Sequence, residues 1–427
     1  MKTVIQKLKR HKSYLLSFLI TLGMGLVLWL SQGTMSSVSS AQPSLLDAVW
    51  STVNENFYDP KFNSLDWAAL KSQYQPQVAK ASSRAEKAEV INEMLDQLQT
   101  SHTHLFTVDE PAYYQVLGIF YPRIKELRTQ LKSTFPEGKV QYEGIGIVTQ
   151  AIQGKTFIKT IFEGSPAAKA GLKVGDQILN VAGQPFQAIQ SFKGKADQPI
   201  KVRIQRTADP NDQQTITVTP KRFDCTQMFV EAIANSVQVI ETDGQRIGYI
   251  HVWSLAGDSH QQELEDEVIY GRLKNADALV LDLRDGWGGD PMTALHLFTS
   301  RGPSLTSIRR NGATSTYQGQ WNKPVVMLVN EGSRSAKEIL AYGFQQYDIG
   351  PVVGSSTAGA VVAGRPYLMP DQSLLYVAVS DVYIDKTARL EGVGVTPDVV
   401  VPFPIPYAQG QDPQKERAIA MARQAIQ

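Results

Sequence analysis

A chain of 427 residues exceeds one ordinary domain; at roughly 100 to 200 residues per domain it predicts two to four, with ample length for a large core. Its composition is 42% hydrophobic, 9% aromatic and 19% charged, with Gly and Pro spread without period, which excludes collagen, coiled coil and wholesale disorder. The formal charge is +1, but Lys2, Lys7, Lys9, Arg10 and Lys12 all precede the first acid, Asp47, so 37 of the 42 basic residues face 41 acidic ones in the body of the protein. A body of about −4 argues against neutralising a phosphate backbone, and nucleic acid is not an expected partner. The single cysteine, Cys225, excludes an intrachain disulfide and any CxxC metal or redox motif.

In chain order, the basic start is followed by the apolar run Tyr14 to Leu30 and the polar stretch SQGTMSSVSSAQ. This is the order of a secretory signal, with Ser39 and Ala41 as small residues at a cleavage site. At about 17 residues the apolar run also suits a retained anchor. Residues 1–41 are therefore read as signal peptide or signal anchor, with the remainder exported to a periplasm, a lumen or an equivalent compartment. Residues 44 to 99 carry apolar positions at helical spacing, as in LLDAVWSTVNENF and AEKAEVINEMLDQL, with Pro60 and Pro76 expected to break the run. Residues 42–138 are read as an N-terminal helical domain.

From about Val140 short β-type runs alternate with glycine-bearing turns (GIGIVTQ, KTFIKTIF, DQILNVAG, IKVRIQR, TITVTPK), predicting a β-rich module over 139–222. From 223 to 427, apolar strands such as ALVLDLR and VVMLVN alternate with helical segments such as AKEILAYGFQQY, predicting an α/β core with a covered sheet. The fold class is thus multidomain α/β.

Three segments carry candidate chemistry. VNEGSRSAKEI places Ser335 at a strand-to-helix turn, where helix N-terminal amides favour developing negative charge; Ser335 with Glu338 also spells the S-x-x-E capping box, which needs no catalysis. DLRDGWGGDP ends a buried-type strand in Gly286, Gly288 and Gly289, which either aim backbone N–H groups at an oxyanion or make an ordinary βα turn. QLQTSHTHLF offers Ser101, His102 and His104 at the close of a predicted helix. Histidine is the natural base for a serine at neutral pH, a helix-end histidine is also an ordinary C-cap, and His102 with His104 makes a metal-dependent hydrolase a third, weaker rival. Neither HExxH nor GxxxxGK[ST] occurs.

A resemblance joins these segments. The string FEGSPAAKAGLKVGDQILNVAGQPF resembles the PDZ signature, and Gly144, Ile145, Gly146 and Ile147 are similar to the PDZ loop whose amides hold a peptide's C-terminal carboxylate. With DLRxxxGG, VNxGSxSAxEI and LEGxGVxPD following in order, the chain from about 45 to 405 resembles the C-terminal processing (tail-specific) peptidases, whose core is similar to the crotonase and Clp protease fold. The resemblance implies that Ser335 is the nucleophile. Processing peptidases of the best-known kind take their base from a lysine about 25 residues later, where this chain has Ala360 in STAGAVV. Lys337, two residues along a helix, points about 200° away from Ser335.

The related tricorn branch employs histidine from a TSH segment, matched here by Thr100, Ser101 and His102, together with a late glutamate, matched by Glu391. By resemblance Ser335 attacks, His102 moves the proton, Ser101 and Glu391 orient the imidazole, and Ala336 with Gly288 or Gly289 supplies the oxyanion amides. Metal or organic cofactors are not implied. The implied function is a serine endopeptidase cutting protein substrates near exposed C-terminal tails presented by the PDZ domain, with membrane contact through the N-terminal segment if it is retained. The alternative is the same fold with a dead site, a peptide-binding scaffold, which Ala360 favours.

Overall fold

The computed structural model describes residues 43–299, 305–317 and 319–426. The apolar segment read as a signal lies outside the described residues. Three helices, Leu45–Asn56, Trp67–Lys80 and Arg84–Asp96, begin on side-chain caps: the Ser44 hydroxyl accepts from Asp47 N–H, Asp66 from Ala69 and Ser83 from Glu86. Pro76 does not end its helix as expected but sits inside Trp67–Lys80, on an exposed face. Burial of Trp67, Tyr74 and Val78 on the opposite face holds the helix through the one missing donor.

These helices share their core with strands from the far end of the chain. Leu46, Val49, Val53, Ile91 and Leu95 pack in one cluster with Leu375, Val377 and Ala378. The connecting strand His104–Phe106 runs antiparallel to Leu374–Ser380, with His104 opposite Tyr376. The helix thus stops at Asp96 rather than running to the histidines, because Asn92 reaches back to take the Leu105 N–H (2.7 Å) and donate to its carbonyl (3.0 Å), starting a strand where the sequence pattern suggested a helix end.

Between 147 and 218 five antiparallel strands form one sheet around Ile158, Ile178, Val202, Ile204 and Val218, with the short helix Pro166–Lys169 capped by Ser165. The strands Gln141–Gly144 and Lys221–Asp224 pair at the base of this module.

The core is a six-stranded sheet in the order Val399–Val400, Val352–Gly354, Val325–Val329, Ala278–Asp282, Gln245–His251, Gln238–Thr242, parallel except for the last, edge strand. Every residue of ALVLD and VVMLV is buried, as a sheet covered on both faces requires. Helix Ala336–Gln346 packs on one face through Leu340, Ala341 and Phe344, and helix Pro413–Gln424 on the other through Ala418 and Ala422. The carboxyl ends of the central strands therefore open onto the segments that carry the candidate chemistry.

Candidate active site

Strand Val325–Val329 passes through a turn into helix Ala336–Gln346, and Ser335 stands at the junction with φ 57° and ψ −123°. A left-handed φ on a residue with a Cβ is strained, and strain of this kind persists only where the surroundings impose it. Here they do. The Ser335 N–H lies 2.8 Å from the Ala360 carbonyl and 3.1 Å from the Glu338 carboxylate. Glu338, fully buried, also accepts from the Thr357 hydroxyl (2.6 Å) and from the Gly359 and Ala360 N–H groups (both 2.7 Å). Burial pushes the Glu338 carboxyl up and these donors pull it back. The capping box is present, and it does not compete with a chemical role: the same residues that cap the helix turn Ser335 into a cavity.

That cavity, of about 600 Å³, is lined by Ser335 and His102 together, with Gly288, Gly289, Trp287, Arg334 and Tyr376 around them. The structure puts an imidazole from the chain's first quarter and a serine from its last on the walls of one cavity. The other face of His102 is held by a relay. Its Nδ1 lies 2.8 Å from the Ser101 hydroxyl, which donates to Glu391 Oε2 at 3.0 Å; Glu391 Oε1 accepts the Ser101 N–H at 2.8 Å and Oε2 the Val361 N–H at 2.6 Å. Proton counting fixes the tautomer. The one hydroxyl proton goes to the acceptor-only carboxylate, so Nδ1 must carry the imidazole proton and Nε2 keeps a free lone pair. Burial, reinforced by the Arg334 guanidinium, lowers the His102 pKa to about 4. The ring is therefore neutral at physiological pH, the form a base needs.

Gly288 is fitted against Ser335: a Cβ placed on it would lie 2.6 Å from Ser335 Cβ, 2.9 Å from its Oγ and 2.9 Å from Ala336 N. A side chain there would occupy the space beside the hydroxyl. Gly289, at φ 144°, instead abuts the backbone of Leu255. Ala336 is the first residue of the helix, where backbone N–H groups lack intrahelical partners.

Ala360, which the resemblance matches to a lysine, is buried, and among the described residues lining the cavity there is no lysine. Lys337 is fully buried and turned away, its Nζ 2.5 Å from the Asp285 carbonyl. His104 does not join His102: its Nε2 faces Asn92 at 3.4 Å, and among the described residues no group of three or more metal-ligating side chains occurs. The PDZ-type loop residues Gly144, Ile145, Gly146 and Ile147 line a second cavity of about 400 Å³. Trp287 and Arg334 belong to the walls of both cavities, the guanidinium standing 5.5 Å from the Trp287 ring.

Arg334 and Tyr376 escaped the sequence reading. Arg334 adjoins Ser335 in the chain, a signal that was available; Tyr376, whose ring lies 5.4 Å from His102, is placed by strand pairing and had none.

Comparison with known proteins finds three family matches along the chain. Residues 132–197 match the PDZ domain, residues 42–96 the tricorn protease C1 domain, and residues 246–401, which hold the glycine turn, Ser335 and Glu391, match peptidase family S41. The chain is a serine peptidase that carries a peptidase family S41 domain and a PDZ domain. The carboxyl-terminal-processing protease of Synechocystis sp. is 24% identical over 396 residues, covering 90% of this chain and 86% of that one. The carboxy-terminal processing protease CtpA of Bacillus subtilis is 27% identical over 296 residues, covering 65% and 61%. The putative tricorn protease homolog 2 of Streptomyces coelicolor is 24% identical over 397 residues, covering 87% of this chain and 31% of its own length. In fold, the crystal structure of the tricorn protease superposes with TM-score 0.54 at 20% identity, over 90% of this chain and 36% of that one.

Proposed function

We propose that this S41 peptidase is an endopeptidase with a Ser/His mechanism, acting on protein substrates near exposed C-terminal tails. Ser335 Oγ attacks the scissile carbonyl as its proton passes to His102 Nε2. The Ala336 N–H and one amide of the Gly288–Gly289 pair hold the oxyanion, a contribution of about 3 kcal/mol per donor. The imidazolium, steadied by Ser101 and Glu391, returns the proton to the leaving amine, leaving an acyl ester on Ser335. Water, activated by the same imidazole, then releases the second product. No cofactor enters. The observation that carries this reading is that Ser335 and His102 share one cavity while the Ser101 hydroxyl links His102 Nδ1 to Glu391.

The substrate reading rests on the second cavity. Gly144–Ile147 line that cavity, which shares Trp287 and Arg334 with the cavity of Ser335, and this supports capture of a C-terminal carboxylate by the loop beside the catalytic cavity. The basic, apolar, small-residue order of the first 41 residues supports work outside the cytoplasm, with membrane contact if that segment is retained. Among the described residues no helix is long and apolar enough to cross a membrane.

The test is cleavage of casein and of a peptide with an apolar C-terminal tail by the full chain, beside Ser335→Ala and His102→Ala. The proposal expects activity in the wild type alone. Equal cutting by His102→Ala would refute the Ser/His mechanism, and no cutting by any of the three would restore the scaffold reading.

A further inference from the structure

The nucleophile helix carries a group that the mechanism leaves unused. Lys337, its second residue, is fully buried, with no ion pair among the described residues. The nearby carboxylates are committed elsewhere: Asp285 to Lys159 at 2.8 Å and Asp282 to Arg284 at 2.6 Å. A buried ammonium at the positive end of a helix dipole is unfavourable on two counts, and an apolar side chain of equal length would fit the site at lower cost. What the ammonium does contribute is a hydrogen bond to the Asp285 carbonyl, three residues before Gly288. The intervening Gly286 has so little room that a Cβ would lie 2.0 Å from the Trp253 carbonyl and 3.3 Å from Lys337 Nζ. Nζ is thus a strut between the helix that begins at Ala336 and the glycine segment packed on Ser335.

We propose that Lys337 is a positioning residue for the oxyanion hole, tying the glycine segment to the nucleophile helix through the Asp285 carbonyl and placing a positive charge behind the two amide donors. The inference rests on Ser335 being the nucleophile. Burial brings the Lys337 pKa down to about 7 against the opposing pull of Asp285 and Asp282; Arg334 pushes the same way as burial, and His260, on helix Asp258–Glu265, also faces it. The charge behind the hole therefore fades as pH rises through about 7.

The experiment compares kcat, KM and the pH profile of tailed-peptide hydrolysis for the full-length wild type, Lys337→Met and Ser335→Ala, with circular dichroism as a check on folding. The wild type should lose kcat above about pH 7. Lys337→Met should lose about 10- to 100-fold in kcat, the scale of a small misplacement, with KM within about twofold, no alkaline limb and the acid limb intact. A merely structural lysine would change stability without moving that limb. Wild-type kcat in Lys337→Met overturns the inference while leaving the Ser335 reading intact; activity retained in Ser335→Ala overturns the reading beneath it. If Lys337→Met fails to fold, the wild-type profile decides, and a kcat flat from pH 6 to 9 rejects the role of the charge.

Discussion

The two halves of the proposed catalytic cavity are built in opposite ways. The Ser335 half is local: strand, turn and helix lie within about 20 residues, and Glu338, three positions on, gathers the donors that hold the turn. The His102 half is assembled across the molecule. Its relay joins Ser101 to Glu391, 290 residues apart, and its strand is paired to Leu374–Ser380. Local construction makes the serine's strained geometry robust to changes elsewhere, whereas the imidazole's aim depends on contacts that many distant substitutions disturb. The histidine half is therefore where activity should be lost with the nucleophile turn left in place.

The largest effects should come from the reacting groups. Ser335→Ala and His102→Ala should each lower kcat by about 10⁴- to 10⁶-fold, and the double variant should be no worse than the poorer single one, as for groups acting as a unit. An additive double would break the pairing of the two halves. Next, Glu391→Gln should cost about 10²- to 10⁴-fold in kcat, since the relay then no longer dictates the tautomer. It should also lower the melting temperature, because a carboxylate that accepts from Ser101 and Val361 is replaced by a carboxamide whose amino group accepts nothing. Melting curves beside steady-state kinetics would separate the two.

Gly288→Ala tests the serine half. With its Cβ 2.6 Å from Ser335 Cβ, the variant should lose about 10²- to 10³-fold in kcat, the scale of one oxyanion donor, while His102 keeps its relay. The smallest effect is expected at Arg334. Its guanidinium helps to hold the His102 pKa near 4, so Arg334→Gln should move the acid limb of kcat/KM upward, a few-fold loss at pH 5 and little at pH 7. The sign for stability follows from the same shift. His102 is lowered on folding from about 6.5, so its contribution is complete above pH 6.5 and is lost as pH falls from there toward 4.

The asymmetry of construction also governs what the sequence could reveal. The Ser335 turn was legible because an apolar strand, a turn and a helix pattern are adjacent in the chain. The β-rich module was legible through its short runs and spaced glycines, and its PDZ character through resemblance. The histidine half was reached only through resemblance: TSH has no local pattern that distinguishes a base from a helix cap, and the Asn92 bonds that end the helix early are side chain to backbone and leave no periodic trace. Pro76 inside a helix and Tyr376 beside the imidazole are likewise products of long-range packing.

The claim on which the account turns is that His102, in a cavity with no lysine among its described lining residues, activates Ser335. The most direct measurement is the rate at which a fluorophosphonate labels Ser335 across pH 3 to 9, in wild type and in His102→Ala. The account predicts labelling in the wild type that falls away with an apparent pKa of about 4 and collapses across the whole range in His102→Ala. Labelling of His102→Ala at the wild-type rate, or a wild-type profile with no acid limb, would contradict it.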